Sequence, residues 1–293
     1  MHIKSRPIWE GLSPQEHEHQ YNPQVAVPDF AKYRATREGP NVHALESLVR
    51  VADLSYGPHK LNTLDVYPVI KPNAPVHIFY HGGYWRAQDK QNFAYLAAPL
   101  TAEGICTVIA NYSLCPEVTL DGVVASALEG LAWTARNIAQ YGGNPDQITL
   151  SGHSAGAHLG AAALSTDWTS FNLAPDLIKA ATLISGIYDP SPAILTSVNA
   201  DLRLTEEVTE RHNYEKKTPK IICPTRLIVG GREPWQFIDQ TYRYAHHLHR
   251  HGGDPGVAVS PGFNHFNILD QYLNSQSEVM RAILGMAKGA ETP

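Results

Sequence analysis

Short apolar runs alternate along this chain with segments whose apolar residues recur at helical spacing. Runs of strand length fall at Leu48–Leu54, Leu61–Tyr67, Val76–Tyr80, Ile105–Asn111, Ile148–Leu150, Ala180–Ser185, Thr225–Val229 and Val257–Val259. Between them, Val124, Ala127, Leu128, Leu131, Ala135 and Ile138 share one helical face,. Phe237, Ile238, Thr241, Tyr242, Ala245 and Leu248 share another. A last helical segment carries Ile268, Leu269, Tyr272 and Leu273 and, after a polar break, Val279, Met280, Ile283 and Leu284. Such alternation predicts an α/β fold with a mainly parallel central sheet and helices on both faces. Residues 1–40 read as a polar, Pro-rich amino-terminal arm. Residues 190–220 lack strand character and read as a small lid inserted between two strands. No repeat or low-complexity linker divides the chain, so one domain is expected over 1–293.

Two stretches interrupt this pattern with residues that packing alone does not ask for. In "QITLSGHSAGAHLGAAAL" a short strand runs into Gly152-His153-Ser154-Ala155-Gly156 and then into a helix of small residues. A G-x-S-x-G pattern is common by chance, but here it sits at a strand-to-helix junction. A sharp turn there needs small residues beside the serine, and the helix needs Ala and Gly to lie close on the sheet. Ser154 is the expected nucleophile, and the turn brings the N–H of Ala155 beside the attacking oxygen. The second stretch is "APVHIFYHGGYW", where an apolar strand ends in two glycines. The N–H groups of the Gly82–Gly83 loop would complete, with Ala155, an oxyanion hole facing the charge that develops on a carbonyl under attack.

A serine hydroxyl needs a base, and the base needs a carboxylate to hold its tautomer. In folds with this strand–serine–helix turn the order along the chain is Ser, acid, His. "PGFNHFNIL" places His265 between the last strand and the last helix, the position the base requires. His81 is expected to brace the oxyanion loop, and His153 and His158 to point elsewhere. For the acid, "RLIVGGREPWQF" offers Glu233 after a strand, with Asp189 of "SGIYDP" as the rival. Asp239 falls within a helical period and is expected to be solvated.

Composition narrows the partners. With 43% hydrophobic and 17% charged residues and a net charge of −5, the chain has material for a core and no basic stripe for nucleic acid,. No run approaches the length of a membrane span. The start, "MHIKSRPIWEGLSPQEHEHQ", lacks the apolar core of a signal peptide,. The three cysteines lack metal-site spacing,. A cytoplasmic enzyme with a small-molecule substrate and no cofactor or metal is therefore expected, with a homodimer left open. "HHLHRH" (246–251) ends a helical segment, where cationic side chains suit the carboxyl end of the dipole,; it is not expected to hold a metal.

Taken together, "YNP", "LDVYP", "HGGYWR", "NYSLCPEVTL", "YGGNPDQITLSGHSAGAHL", "SGIYD", "VGGREPWQF" and "PGFNHF" resemble the esterase/arylformamidase branch of the α/β-hydrolase superfamily, the kynurenine formamidase group in particular. The resemblance covers nearly the whole chain. It implies the α/β-hydrolase fold and the triad Ser154, Glu233 and His265. One local departure is Glu233 itself, preceded by Arg232, where the group often has Asp in an acidic or histidine-containing stretch. "HGGYW" is informative because neighbouring esterases carry a third glycine where Tyr84 stands. Tyr84 and Trp85 are accordingly expected to wall the substrate pocket with flat apolar surface suited to an aromatic group. The activity implied is a serine hydrolase that removes a small acyl group, formyl by preference, from an aryl amide such as N-formylkynurenine. A carboxylesterase of short-chain aryl or alkyl esters would use the same machinery, and a non-catalytic ligand-binding protein on this fold would be expected to lack a triad member.

Overall fold

Residues 11–289 are described by a computed structural model. All eight expected strands form, and they make one sheet: β1 (Val51–Ser55), β2 (Thr63–Tyr67), β3 (Ala74–Tyr80), β4 (Cys106–Ala110), β5 (Gly143–His153), β6 (Ile178–Ile184), β7 (Thr225–Gly230) and β8 (Gly256–Ser260). Their spatial order is β1-β2-β4-β3-β5-β6-β7-β8. Strand β2 runs antiparallel to both neighbours, and every other pairing is parallel.

The helices are α1 (Pro14–Tyr21), α2 (Pro23–Ala26), α3 (Ala31–Ser47), α4 (Ala97–Ala102), α5 (Leu120–Asn137), α6 (Ala155–Leu164), α7 (Asn199–Leu202), α8 (Glu206–Arg211), α9 (Trp235–Arg250) and α10 (Glu278–Ala287). Strand residues alternate between two apolar cores. Val76, Ile78 and Tyr80 meet α5, α6 and α9 on one face, while Phe79, Ile109 and Ile228 meet α4 and α10 on the other. The polar break in the last helical segment separates a 3₁₀ stretch, Asn267–Leu273, from α10, which Ser277 caps by accepting from the Met280 N–H,.

The arm is helical. Ser13-Pro14-Gln15-Glu16 forms a capping box: Ser13 Oγ accepts from Glu16 N–H and Glu16 Oε2 from Ser13 N–H at 2.8 Å, with Pro14 in the first turn,. Register then decides where the chemistry gathers. Tyr80 pairs with Gly152, His153 with Ile184, Ile184 with Ile228 and Gly230 with Ser260. The loops leaving β3, β5, β6, β7 and β8 therefore open side by side at the carboxyl ends of the strands, where the order reverses between β3 and β5,.

Candidate active site

Ser154 sits at the tip of the turn between β5 and α6 with φ 56° and ψ −117°. This is sparsely populated space for a residue with a side chain and costs about 1–3 kcal/mol. The neighbours hold it there. Its N–H donates to Ile184 O at 2.8 Å, and its carbonyl accepts from Ala157 and His158. Close approach explains the flanking glycines: a Cβ on Gly156 would lie 2.0 Å from Tyr80 O, and one on Gly152 would lie 2.2 Å from Gly156 O.

From Ser154 an unbroken line of hydrogen bonds runs inward. Ser154 Oγ donates to His265 Nε2 at 2.9 Å, and His265 Nδ1–H donates to Glu233 Oε2 at 2.6 Å. The other carboxylate oxygen, Glu233 Oε1, accepts from Gly230 N–H at 2.8 Å and from Ser185 Oγ at 2.5 Å. All three members are buried, so the pairing is little weakened by water,. Asp189 is turned away. Its carboxylate accepts from Ser191 N–H at 2.9 Å and Ser191 Oγ at 2.5 Å, holding the turn after β6. Arg232 is exposed and contributes a backbone bond to Phe263 O.

The loop after β3 carries more strain. Gly83 has φ +117° and a Cβ there would meet Ala87 O at 2.2 Å. Tyr84, Trp85 and Gln88 also lie at positive φ. His81 braces the loop as expected: its ring stacks on Tyr112 and Phe93, and one ring nitrogen reaches Gly82 O at 2.7 Å. The N–H groups of Gly82 and Gly83 donate to no acceptor among the described residues. Ala155 is the first residue of α6, where first-turn N–H groups have no partner inside the helix,. Gly82 packs against the elbow, since a Cβ on it would come 3.2 Å from Ser154 Cβ.

Ser154, His265, Gly82 and Gly83 line a cavity of about 650 Å³, in the range that encloses a small molecule,. Its aromatic surface comes from Phe30, Tyr84, Phe93 and Phe266, with Phe30 and Phe266 stacked at 5.0 Å. Two expectations are corrected here. Trp85 does not wall the cavity: it is fully buried in the core, edge-on to the rings of Tyr84 and His158. Positive φ at consecutive residues swings it behind the loop while Tyr84 faces the cavity and donates its hydroxyl to Tyr21 O at 2.8 Å. Nor does 190–220 form a lid, for none of its residues lines the cavity. It is polar outside, but Ala193, Val198, Leu202, Leu204 and Tyr214 join the main core. The cover comes from the arm, through α2 and α3.

Several residues of the site were not singled out by the sequence reading. Ser185 orients the carboxylate, and its signal was only a small polar residue at a strand end. His153, expected to point elsewhere, lines the cavity and donates from Nε2 to His265 O at 2.8 Å. Burial, with the neighbouring His265 adding, holds its protonation well below the usual histidine range, so it enters the site neutral,. His158 does lie off the site, donating to His212 O at 3.1 Å. Arg37 of α3 ties the arm down by donating to Phe266 O at 2.7 Å and Asp270 Oδ1 at 3.0 Å. Among the described residues no group of three or more His, Cys, Asp or Glu is placed to hold a metal. In the basic run, His247 donates instead to Lys217 O. No described helix is long and apolar enough to cross a membrane.

Comparison with known proteins agrees with this architecture. Residues 77–268 match the alpha/beta hydrolase fold family. Kynurenine formamidase of Danio rerio is 31% identical, over 95% of this chain and 98% of its own. That of Salmo salar is 29% identical over the same shares. A crystal structure from Silicibacter sp. superposes with a TM-score of 0.78 at 22% identity, covering 92% of this chain and 98% of that one. By its fold, its match over the catalytic loops and its near full-length likeness to these relatives, the chain belongs to the α/β-hydrolase family that includes the kynurenine formamidases.

Proposed function

We propose that this hydrolase removes a formyl group from an aryl amide of the N-formylkynurenine type through a covalent intermediate on Ser154. The observation that carries the reading is the line of hydrogen bonds from Glu233 through His265 to Ser154, ending at a cavity with aromatic walls. The near full-length likeness to kynurenine formamidases supports the choice of acyl group and leaving group.

In the first half-reaction Ser154 Oγ adds to the formyl carbon as His265 Nε2 takes its proton. Negative charge moves to the former carbonyl oxygen, which faces the N–H groups of Gly82, Gly83 and Ala155. A single donor in such a hole is worth about 2.7–4 kcal/mol of barrier. Collapse breaks the C–N bond, and His265 Nε2–H gives the proton to the departing arylamine nitrogen. In the second half, water loses a proton to His265 and attacks the formyl ester. Ser154 leaves with that proton, and formate is released. Glu233 holds His265 with Nδ1 protonated and stabilises the imidazolium in both halves.

Hydrolysis of N-formylkynurenine and of p-nitrophenyl acetate by four proteins tests this. The wild type is expected to prefer the formamide, and Ser154→Ala to lose turnover of both while remaining folded. Glu233→Gln is expected to lose roughly 10³–10⁴-fold in kcat, since the amide favours the wrong tautomer and lacks the charge. Asp189→Asn is expected to fall far less. Strong activity in Ser154→Ala, or the reverse order of the two acid variants, contradicts the assignment; preference for the ester moves the chain to the carboxylesterases.

A further inference from the structure

We propose that Arg34 and Glu38 of α3 are specificity-determining residues that hold the carboxylate and the ammonium group of an amino-acid head on the substrate. The inference rests on the serine-hydrolase reading above and names the residues that would meet the charged end of such a substrate.

The argument starts from the charges in the cavity lining. Three arginines and one carboxylate contribute: Arg34, Arg37, Arg86 and Glu38. Two of the arginines are neutralised by carboxylates that lie outside the lining. Arg37 pairs with Asp270 at 3.0 Å, and Arg86 with Asp201 at 2.5 Å. What remains is one positive and one negative side chain. Arg34 donates from one guanidinium nitrogen to the neutral amide oxygen of Asn92 at 3.0 Å and to no other acceptor among the described residues. A guanidinium has five N–H donors in a planar fork, so most of its donors are left for a planar carboxylate. Glu38 accepts no hydrogen bond and forms no ion pair among the described residues.

Spacing sharpens this. Arg34 and Glu38 are four residues apart on one helix, so their Cβ atoms stand about 5–6 Å apart on one face. A pair in this order, base before acid, is the less favourable orientation for an i,i+4 bridge. No ion pair joins them; Asn92, in the 3₁₀ turn Lys90–Leu96 that packs against α3, instead accepts from the guanidinium at 3.0 Å. The result is a positive and a negative group one turn apart, both on the wall of the chamber that Ser154 and His265 line. A substrate bearing only a carboxylate would meet Glu38 as a like charge, and a neutral one would leave both groups to water. An α-amino acid head, with its two charges on one carbon, satisfies both at once.

The test uses aryl acetates, so that it does not depend on formamide cleavage. The probes are O-acetyl-L-tyrosine, with both charges, and 4-ethylphenyl acetate, with neither. The wild type is expected to favour the zwitterion at least tenfold in kcat/KM, through KM, with the preference shrinking as salt rises. Arg34→Gln is expected to erase most of that ratio, Arg34→Lys to restore part of it, and Glu38→Gln to reduce it less than Arg34→Gln. Both positions are exposed, and matching circular dichroism and melting curves confirm that a lost ratio is not lost folding. A wild type without preference, or a preference that Arg34→Gln and Glu38→Gln leave intact, overturns the proposal. Failure to cleave N-formylkynurenine with the ester ratio intact sinks the formamidase reading alone.

Discussion

The amino-terminal arm and the 190–220 insertion are both additions to the same sheet, and they do opposite work on one loop. The arm lies in front of the Gly82–Gly83 loop. It receives the hydroxyl of Tyr84 at Tyr21 O, stacks Phe30 on Phe266 and pins itself with Arg37. The insertion lies behind and beside that loop. Asp201 holds Arg86, and Tyr214 packs edge-on against His158, which in turn meets Trp85. The two additions also touch, through His17 on Pro192 O and Glu18 on Ser197. A segment's place between two strands therefore says little about what it covers. Its buried side chains decide: the insertion has enough apolar residues to join the core, whereas the polar arm docks by charge-assisted hydrogen bonds and leaves a chamber beneath it.

The strongest way to break this comparison is Trp85→Ala. If Trp85 belongs to the core, the change costs about 3–5 kcal/mol of stability in a denaturant titration. A variant of ordinary stability that accepts longer acyl chains would return Trp85 to the cavity wall. Next in size is Arg37→Ala, which strips the arm of its anchor and leaves Asp270, already raised in pKa chiefly by burial, without its cation. Loss of these charge-assisted bonds is expected to cost about 1.5–3 kcal/mol. Because Phe266 follows His265, kcat/KM should also fall about 10–100-fold. An unchanged kcat/KM would mean that the arm's position does not matter to the site.

The smallest effect is expected on the insertion's outer side, where Arg211 pairs with Asp121 of α5 at 2.8 Å. The hydrogen bonds from Arg211, then His212, hold the Asp121 carboxyl at about 2, below its ordinary 3.8. Its folded value is depressed, so its contribution is present above 3.8 and lost as pH falls through about 2,. Arg211→Ala should move the Asp121 titration, followed by NMR, up towards 3.8 while kcat/KM on an aryl substrate stays within about twofold, since an exposed pair away from the cavity is worth little. A large loss of activity would give the insertion the role assigned here to the arm.

Much of this was legible in the sequence, for physical reasons that differ by region. The inner strands β2 to β7 were visible because a run buried in a sheet must be apolar, though β5 begins at Gly143 rather than Ile148, whereas the edge strands β1 and β8 are only partly buried. Ser154, Glu233 and His265, which the structure joins by hydrogen bonds, could be picked out because each sits where a strand ends, and chain order suggests the role proposed for each,. Gly82 and Gly83 were visible because only glycine allows the close approach seen there. The arm's helices were hidden: residues 31–47 make a helix whose buried positions are Arg37 and Ala44, too few to give an apolar stripe. Phe30, Phe93 and Phe266 were hidden for a related reason, since a lone aromatic does not say which cavity it faces. Tyr84 and Trp85 looked alike as neighbours, and only the backbone turn at positive φ sends them to opposite sides.

The most direct measurement is a crystal structure of the enzyme inhibited by an aryl phosphonate that reacts with active-site serines. The account predicts phosphorus on Ser154 Oγ and a phosphoryl oxygen about 2.7–3.1 Å from the N–H groups of Gly82, Gly83 and Ala155. It also predicts the aryl ring among Phe30, Tyr84 and Phe266 beneath the arm. Phosphorus on another serine, or an aryl ring lodged against residues 190–220, would contradict it.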